Sequence, residues 1–307
     1  MTTIQEPILV TGANGLVGYA VANHLLASGL AVAPILHRHC DLRDMHETIN
    51  LFKDVRPVHV FHAAAKVFGI MGNMRNQGLS YLENTLINTN VIEASRLVGV
   101  KKITVMGTNA VYPYPPILPF NENDIFNGRP HASESGYAHA KRGMLAMLEA
   151  YEESYGIEWA YIVACNLFGP RDKFDPENGH VIPSLIRKFH DAKATGQPVT
   201  VWGDGSAQRN FFYIEDMARA ATLIMERGTG AINVGDGGVW SIRQIVEKLV
   251  AITGYDRVEW DATKPNGQLY REASLARLTA LGFTPAYTID EGLRATWEGY
   301  SSGLLRG

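Results

Sequence analysis

The fold is decided near the start of the chain, by the stretch Ile8-Leu9-Val10-Thr11-Gly12-Ala13-Asn14-Gly15-Leu16-Val17-Gly18. Its short apolar run predicts a strand, and helical spacing follows over residues 16–28. The glycines recur as GxxGxxG, one residue longer than the common dinucleotide-binding spacing. Glycine allows a tight turn and a close approach of the backbone to a diphosphate, and the start of the helix offers N–H groups to that anion. The stretch therefore predicts a dinucleotide-binding turn between a strand and a helix.

The rest of the first half repeats this alternation of strand and helix. Apolar runs predict strands at residues 31–36, 58–65, 102–106 and 159–164, and helical spacing predicts helices at residues 43–55, 80–97 and 136–155. Apolar strands that are each followed by a helix are typical of a parallel sheet covered on both faces. We therefore predict an α/β fold, a Rossmann-type doubly wound parallel sheet with a smaller C-terminal α/β substrate lobe.

The second half loses this regular alternation, which indicates a second unit. We expect a dinucleotide-binding domain over residues 1–165, with residues 210–235 folding back onto it, and a substrate-binding lobe over residues 166–307. In that lobe Ser241 precedes a helical pattern and Gln244 follows three residues later, which predicts a capping box.

Composition excludes several classes of protein. The 307 residues are 46% hydrophobic and 19% charged, as in a packed globular chain, and the net charge of −3 argues against a nucleic-acid partner. No apolar run reaches the roughly 20 residues of a membrane span, and the polar first residues do not resemble a signal peptide. The two cysteines cannot form a disulfide framework, and the histidines lack partners at metal-ligand spacing. We expect a cytoplasmic enzyme without a metal.

The end of the second predicted strand indicates which dinucleotide binds. An acidic residue there would hold the adenosine ribose hydroxyls of NAD. This chain instead has His37-Arg38-His39, and Arg38 can pair with a 2′-phosphate, which favours NADPH/NADP as the cofactor. Asp41 follows closely and can accept a hydrogen bond from the adenine amino group.

A possible catalytic set is spread over two segments of the first half. Tyr137 and Lys141 are four residues apart on a predicted helix, so both side chains can point into one cleft. A nearby ammonium lowers the pKa of a tyrosine and fits it to exchange a proton with a carbonyl or alcohol. Thr108 follows the fourth predicted strand, whose end faces the same crevice, and can hydrogen-bond the same oxygen.

With these motifs the sequence resembles the extended short-chain dehydrogenase/reductase family. Within it, the chain is similar to the GDP-L-fucose synthases, which are GDP-4-keto-6-deoxymannose 3,5-epimerase/4-reductases. The matching stretches run almost end to end, at residues 11–18, 62–67, 111–113, 137–141, 166–170, 178–183, 187–190, 201–203, 209–212, 216–217 and 264–265.

The resemblance implies a role for each matching position. Catalysis would use Thr108, Tyr137, Lys141 and His180. The cofactor would contact Gly12, Asn14, Gly15, Leu16, Val17, Gly18, Arg38, Asp41, Leu42, Ala63, Ala64, Ala65, Lys141, Asn166 and His180. A nucleotide-diphospho-sugar substrate would be held by Arg187, Trp202, Arg209 and Lys264, because Arg matches phosphate oxygens and Trp packs on a base or sugar face. The resemblance also implies a homodimer paired through the helices at residues 80–97 and 136–155.

The chain departs from the family pattern at a position that matters for the chemistry. Ala110 stands where the family has a cysteine, which works with a histidine matching His180 in epimerisation at C3 and C5. Alanine cannot exchange a proton, so we predict C4 reduction of a nucleotide-linked 4-keto sugar with little or no inversion at those carbons. Tyr270 and Ser274 also replace an Arg and an Asp of the family, which leaves the base and the sugar open.

Three other functions stay open from the sequence. The chain can be a bifunctional 3,5-epimerase/4-reductase, or a nucleotide-sugar 4-epimerase that keeps NAD bound. It can also be a redox sensor or scaffold that binds NADP without turnover. The complete set of Thr108, Tyr137 and Lys141 counts against the last of these.

Overall fold

A computed structural model describes residues 7–68, 70–176, 179–263 and 272–303. Its centre is a six-stranded sheet in which every pair of neighbouring strands is parallel. The strands are β1 (Ile8–Thr11), β2 (Val32–Ile35), β3 (His59–His62), β4 (Lys102–Met106), β5 (Glu158–Ala164) and β10 (Gly230–Val234). Their spatial order is β10-β5-β4-β3-β1-β2.

Helices cover the sheet on both faces, each face with its own hydrophobic cluster. One face carries α1 packed against α7, and the other carries α4 packed between α2 and α5. The helices are α1 (Leu16–Ala27), α2 (Met45–Val55), α3 (Ile70–Arg75), α4 (Gln77–Val98), α5 (Ser135–Tyr155), α6 (Val181–Thr195), α7 (Ile214–Arg227), α8 (Ile242–Thr253), α9 (Ala276–Ala280) and α10 (Ile289–Ser301). The predicted doubly wound α/β fold is confirmed.

The strand order fixes where a ligand can enter. From β1 the chain passes through α1 to β2 on one side, then through α2 to β3 on the other side. Ligands of such sheets bind outside the carboxyl ends of the strands, at the point where the order reverses. Here that point lies between Thr11 and His62, which end the paired strands β1 and β3.

Within the described ranges, six short strands pair outside the central sheet. β6 (Asn166–Phe168) lies parallel to β9 (Phe211–Tyr213), β7 (Val199–Trp202) parallel to β12 (Val258–Asp261), and β8 (Gln208–Arg209) antiparallel to β11 (Trp240–Ser241). β10 nevertheless returns to the central sheet beside β5, through five paired residues. The division into two domains remains a prediction.

The predicted strand over residues 58–65 is too long. β3 ends at His62 because the backbone beyond it bonds to side chains instead of a neighbouring strand. The N–H of Ala64 donates to the Thr11 hydroxyl at 3.2 Å, and the Asn84 amide bonds both N–H and C=O of Lys66 at 3.0 Å. The capping box at Ser241 and Gln244 is confirmed.

Three further observations concern the described ranges only. None of their helices combines the length and the hydrophobicity that crossing a membrane requires. No group of three or more His, Cys, Asp or Glu side chains is arranged there to hold a metal ion. Cys40 and Cys165 are both free thiols.

Candidate active site

The glycine turn forms a cradle of bare backbone at the end of β1. Gly12 has a φ of +67°, and a Cβ at this position would lie 2.8 Å from the N–H nitrogen of Ala64. A Cβ at Gly18 would lie 2.3 Å from the Gly12 carbonyl oxygen. Both glycines are therefore required by close backbone contacts that no side chain could relieve.

Helix α1 begins directly at this cradle. Gly15 is its N-cap and offers no side chain to the first N–H groups, while Asn14 and Gly15 are both exposed. Leu16, Val17 and Gly18 form the first turn, which contains no acidic residue. Uncapped N–H groups at the positive end of a helix dipole are suited to bind a phosphate group. The residues present thus fit a dinucleotide diphosphate.

A buried polar network, which the sequence analysis missed, lies beneath the turn. The His62 ring bonds the Thr11 hydroxyl through Nδ1 at 2.8 Å and the Asn88 amide oxygen through Nε2 at 3.1 Å. Burial lowers the pKa of His62 to about 3, and the nearby Lys141 ammonium acts in the same direction. A neutral imidazole thus fixes the ends of β1 and β3. The residues that follow, Ala63, Ala64 and Ala65, are partly buried and face the turn through the contact of Ala64 with Gly12.

Two charged residues that follow β2, Arg38 and Asp41, have different surroundings. Arg38 is exposed. Asp41 instead accepts hydrogen bonds from the Arg43 guanidinium on both carboxylate oxygens, from Nε at 2.9 Å and from Nη2 at 2.7 Å. This pairing lowers the pKa of Asp41 to about 2. That Asp41 accepts a hydrogen bond from an adenine stays a prediction, in which the ligand would share the carboxylate with Arg43. Leu42 is buried, and its carbonyl accepts from Asn90 at 2.9 Å.

The Lys141 side chain reaches the carboxyl end of β4, the strand end that Thr108 follows. Lys141 is 1% exposed, and its ammonium donates to the Met106 carbonyl at 2.8 Å. The Tyr137 ring, one helical turn earlier on α5, has its centroid 5.9 Å from the same ammonium. Thr108 lies two residues beyond Met106, and its hydroxyl accepts from the Ala110 N–H at 3.2 Å. Helix α5 therefore brings Tyr137 and Lys141 to the end of β4, two residues before Thr108.

The electrostatics of this group differ from the sequence expectation. Burial raises the pKa of the Tyr137 phenol above its usual value, and the Glu134 carboxylate raises it further. Burial also lowers the pKa of Lys141 to about 7. The expected lowering of the Tyr137 pKa by Lys141 is wrong for the protein alone, because burial disfavours the charged phenolate. The phenol is protonated at neutral pH and can act as an acid.

Ala110 is buried in the short 3₁₀ turn that follows Thr108. It lines a small recess together with Asn109, Tyr112, His131 and Glu134. The Tyr112 hydroxyl donates to the Asn233 amide oxygen at 2.6 Å, which ties this segment to β10. The methyl group of Ala110 thus occupies the position where the resemblance places a proton-transferring cysteine.

His180 lies at the N-cap of α6 and has a carboxylate neighbour. Its side chain is 60% exposed, and Nδ1 is 3.7 Å from Oδ1 of the buried Asp172. Asp172 raises the pKa of His180, which favours the imidazolium. Asn166, predicted at the cofactor, begins β6 and donates through its side chain to the Asn210 carbonyl at 3.1 Å.

The predicted substrate residues lie on separate elements of the second half. Arg187 on α6 pairs with Asp191 at 2.5 Å, so it is already part of a surface ion pair. Trp202 ends β7 and is 46% exposed, with the Lys188 ammonium 5.1 Å from its ring. Arg209 lies on β8 and donates to the Gln208 carbonyl at 2.7 Å. Lys264 and Tyr270 lie outside the described residues.

Comparison of the sequence with known proteins finds relatives along nearly the whole chain. The NAD dependent epimerase/dehydratase family matches residues 8–235. GDP-L-fucose synthase 1 of Arabidopsis thaliana is 34% identical over 98% of this chain and 94% of its own. The GDP-L-fucose synthase of Escherichia coli is 32% identical over 96% of each chain.

Solved structures give the same result. The crystal structure of a GDP-L-fucose synthetase from Naegleria fowleri bound to NADP matches with a TM-score of 0.91 and 28% identity, over 99% of this chain and 95% of that one. The resemblance to the extended short-chain dehydrogenase/reductases is confirmed. This chain belongs to the NAD dependent epimerase/dehydratase family.

Proposed function

We propose that the protein is an NADPH-dependent C4-ketoreductase of a nucleotide-diphospho-4-keto-sugar, with a GDP-linked sugar favoured. The observation that carries this proposal is that α5 brings Tyr137 and Lys141 to the carboxyl end of β4, two residues before Thr108, at the same edge of the parallel sheet as the glycine cradle. The similarity to GDP-L-fucose synthases over nearly the whole chain supports the substrate class.

Several residues would hold the cofactor. The uncapped start of α1 would bind the diphosphate, and the exposed Arg38 would pair with the 2′-phosphate. Lys141 would bond the nicotinamide ribose, exchanging its Met106 partner for a ribose hydroxyl. When bound, NADPH supplies the hydride that reduces the C4 ketone.

Residues of the chain itself donate the proton that the C4 oxygen requires. Tyr137 donates its phenolic proton to the C4 oxygen as that oxygen gains negative charge, and Thr108 hydrogen-bonds the same oxygen. Lys141, as an ammonium, stabilises the resulting phenolate. The raised pKa of Tyr137 keeps the acid form ready before reaction.

The second half of the site would orient the nucleotide. Arg187 and Arg209 would bind phosphate oxygens, and Trp202 offers an exposed ring face for a base or sugar. Arg187 must then turn from Asp191 or share its guanidinium with both partners. Lys264 is part of the same proposal.

We further propose that reduction proceeds with little or no inversion at C3 or C5. Inversion needs one group to remove a proton from one ring face and a second group to return it on the opposite face. His180 supplies one such group, but Ala110 supplies none. Cys165 is a poor replacement, because burial raises the pKa of its thiol and makes it a weaker acid.

The test is reduction of a GDP-4-keto-6-deoxy sugar in deuterium oxide, with the product examined by NMR. We expect a product that keeps the C3 and C5 configuration of its precursor. In the Ala110→Cys variant, inverted carbons carrying deuterium should appear, and the Ala110→Ser variant is the control of similar size. Deuterium at inverted carbons in the parent protein would instead establish the bifunctional epimerase/reductase, which the contact of His180 with Asp172 favours.

The cofactor that is recovered with the purified protein separates reduction from 4-epimerisation. A reductase exchanges its cofactor at each turnover, so we expect NADPH to be consumed in proportion to product. Tightly retained NAD and no net consumption would indicate the 4-epimerase. Cofactor binding without turnover of any GDP-, CDP-, ADP-, UDP- or dTDP-linked 4-keto sugar would indicate a sensor or scaffold.

The homodimer is also a proposal, supported by the outer face of α4. Leu79, Leu82 and Leu86 lie there at helical spacing and are 44%, 54% and 38% exposed. Burial of such a row against a second copy is favourable. We expect a dimer by light scattering at micromolar concentration and a monomer for the Leu82→Glu/Leu86→Glu variant, with α-helical content unchanged.

A further inference from the structure

The loop that follows β6 passes over the first turn of α1. The Asp172 N–H donates to the Gly169 carbonyl at 3.1 Å, which closes a turn of four residues. A Cβ at Gly169 would lie 2.3 Å from the Ile214 side chain and 3.5 Å from the Leu16 side chain. The turn is therefore pressed between α7 and the first residue of α1.

Arg171 projects from this turn onto α1. The central carbon of its guanidinium lies 3.9 Å from the centre of the Tyr19 ring, a close cation–π stack. Arg171 is exposed, and Tyr19 is 40% exposed. Stacking uses the faces of a guanidinium and leaves the N–H groups at its edge available. In the described part of the chain no acceptor for these N–H groups is observed, whereas Arg187 and Arg219 are paired with carboxylates.

The stack places a positive charge near the start of α1, whose first N–H groups are proposed to bind the diphosphate. Tyr19 lies one turn into α1, and helical side chains lean toward the N-terminus of their helix. The glycine turn itself, Gly12 to Gly18, contributes no charged side chain, and the first turn of α1 has none that is acidic. From the glycine turn and the first turn of α1, a dianionic diphosphate would meet only backbone N–H groups.

We propose that Arg171 binds the diphosphate of the cofactor, held in place by its stack on Tyr19. The inference rests on the proposed function, because it takes NADPH to be the ligand. Arg171 would contact the diphosphate that NADPH and NADH share, whereas Arg38 would contact the 2′-phosphate that only NADPH carries. Loss of Arg171 should therefore weaken the binding of both cofactors, and loss of Arg38 should weaken the binding of NADPH alone.

The test is direct titration of the intact protein with NADPH and with NADH, followed by nicotinamide fluorescence. We expect Arg171→Met to weaken the binding of both cofactors by the same factor, about tenfold or more, as for hydrogen bonds to a charged group. Arg171→Lys keeps a cation without the planar fork and should lose less. The matched control, Arg38→Met, should weaken NADPH only.

Each result has one meaning. If both Arg171 variants bind both cofactors within twofold of the parent protein, Arg171 only fastens the loop to α1 and the inference is wrong. If Arg171→Met weakens NADPH alone, the residue contacts the 2′-phosphate and the diphosphate assignment is wrong. If the parent protein binds neither cofactor, the proposed function itself has failed. Circular dichroism of each variant checks that it is folded.

Discussion

Lys141 and Trp202 both belong to the proposed site, but their surroundings differ sharply. Lys141 is 1% exposed and its ammonium is fixed by a backbone carbonyl of β4, while Trp202 is 46% exposed at the end of a two-stranded sheet. Arg187 resembles Trp202 in this respect, since its side chain is 42% exposed. The half of the site proposed for catalysis is therefore buried, and the half proposed for recognition is open.

The difference follows from what each half has to do. Proton transfer requires atoms held in nearly fixed positions, which buried hydrogen bonds to backbone provide. Recognition of a nucleotide can use exposed side chains that exchange one partner for another on binding. The comparison implies that damage in the buried half should reduce the rate of reaction, and damage in the open half should reduce affinity.

The largest expected effect is in the buried half. Tyr137→Phe removes the proton donor and keeps the ring, so kcat should fall by about 10²- to 10⁴-fold. Cofactor affinity, measured by titration, should stay within about threefold of the parent value. A variant that retains more than about a tenth of the parent rate would show that Tyr137 is not the acid and would remove the functional contrast between the two halves.

A smaller effect is expected in the open half. Arg187→Met and Arg209→Met should each raise KM for the nucleotide sugar about tenfold, as for the loss of one charged hydrogen bond, with kcat within threefold. Arg227→Met is the matched control. Arg227 is exposed and ends α7, where the Gly228 carbonyl bonds Lys102 at the start of β4, the opposite end of the sheet. A fall in kcat with an unchanged KM would contradict the division into halves.

The burial of His62, beneath the glycine turn, can be measured without substrate. Folded His62 stays neutral down to about pH 3, whereas in the unfolded chain it takes up a proton near pH 6.5. Its contribution to stability is present above pH 6.5 and is lost as pH falls, by about 1.4 kcal/mol per pH unit. His62→Gln does not titrate, so its free energy of unfolding in urea should fall less steeply between pH 6 and pH 5. Equal slopes would mean that His62 is already solvated in the folded protein.

The sequence was most informative where function depends on local spacing. The alternating apolar runs predicted the parallel sheet, and the glycine turn predicted the junction of β1 with α1. The spacing of Tyr137 and Lys141 predicted that these two side chains lie together. Each of these signals lies within a few residues of sequence, where helix and strand periods relate position to geometry. The Tyr137 and Lys141 pair, which this spacing predicted, also belongs to the buried half of the site.

Other parts of the site depend on partners far apart in the chain. The bonds of His62 join residues 51 and 26 positions away, and no spacing rule connects them. β6 and β9 are three residues each, too short to show a period, and their pairing depends on the loops between them. The ion pair between Asp41 and Arg43 was not expected. Their spacing of two residues does not show whether Asp41 pairs with Arg43 or with a bound ligand.

The glycine cradle has a consequence for how this protein could be changed in the laboratory. Side chains at positions 12 and 18 would strike backbone atoms at 2.8 and 2.3 Å, which no rotamer can avoid. Asn14 is exposed, and a Cβ at Gly15 would meet only the Gly12 carbonyl, at 3.3 Å. Positions 12 and 18 of the turn therefore accept only glycine, whereas positions 14 and 15 have room for other side chains. Selection of a saturation library for a new cofactor preference should return substitutions at Asn14 and Arg38 and retain glycine at 12 and 18, which sequencing of the survivors would reveal.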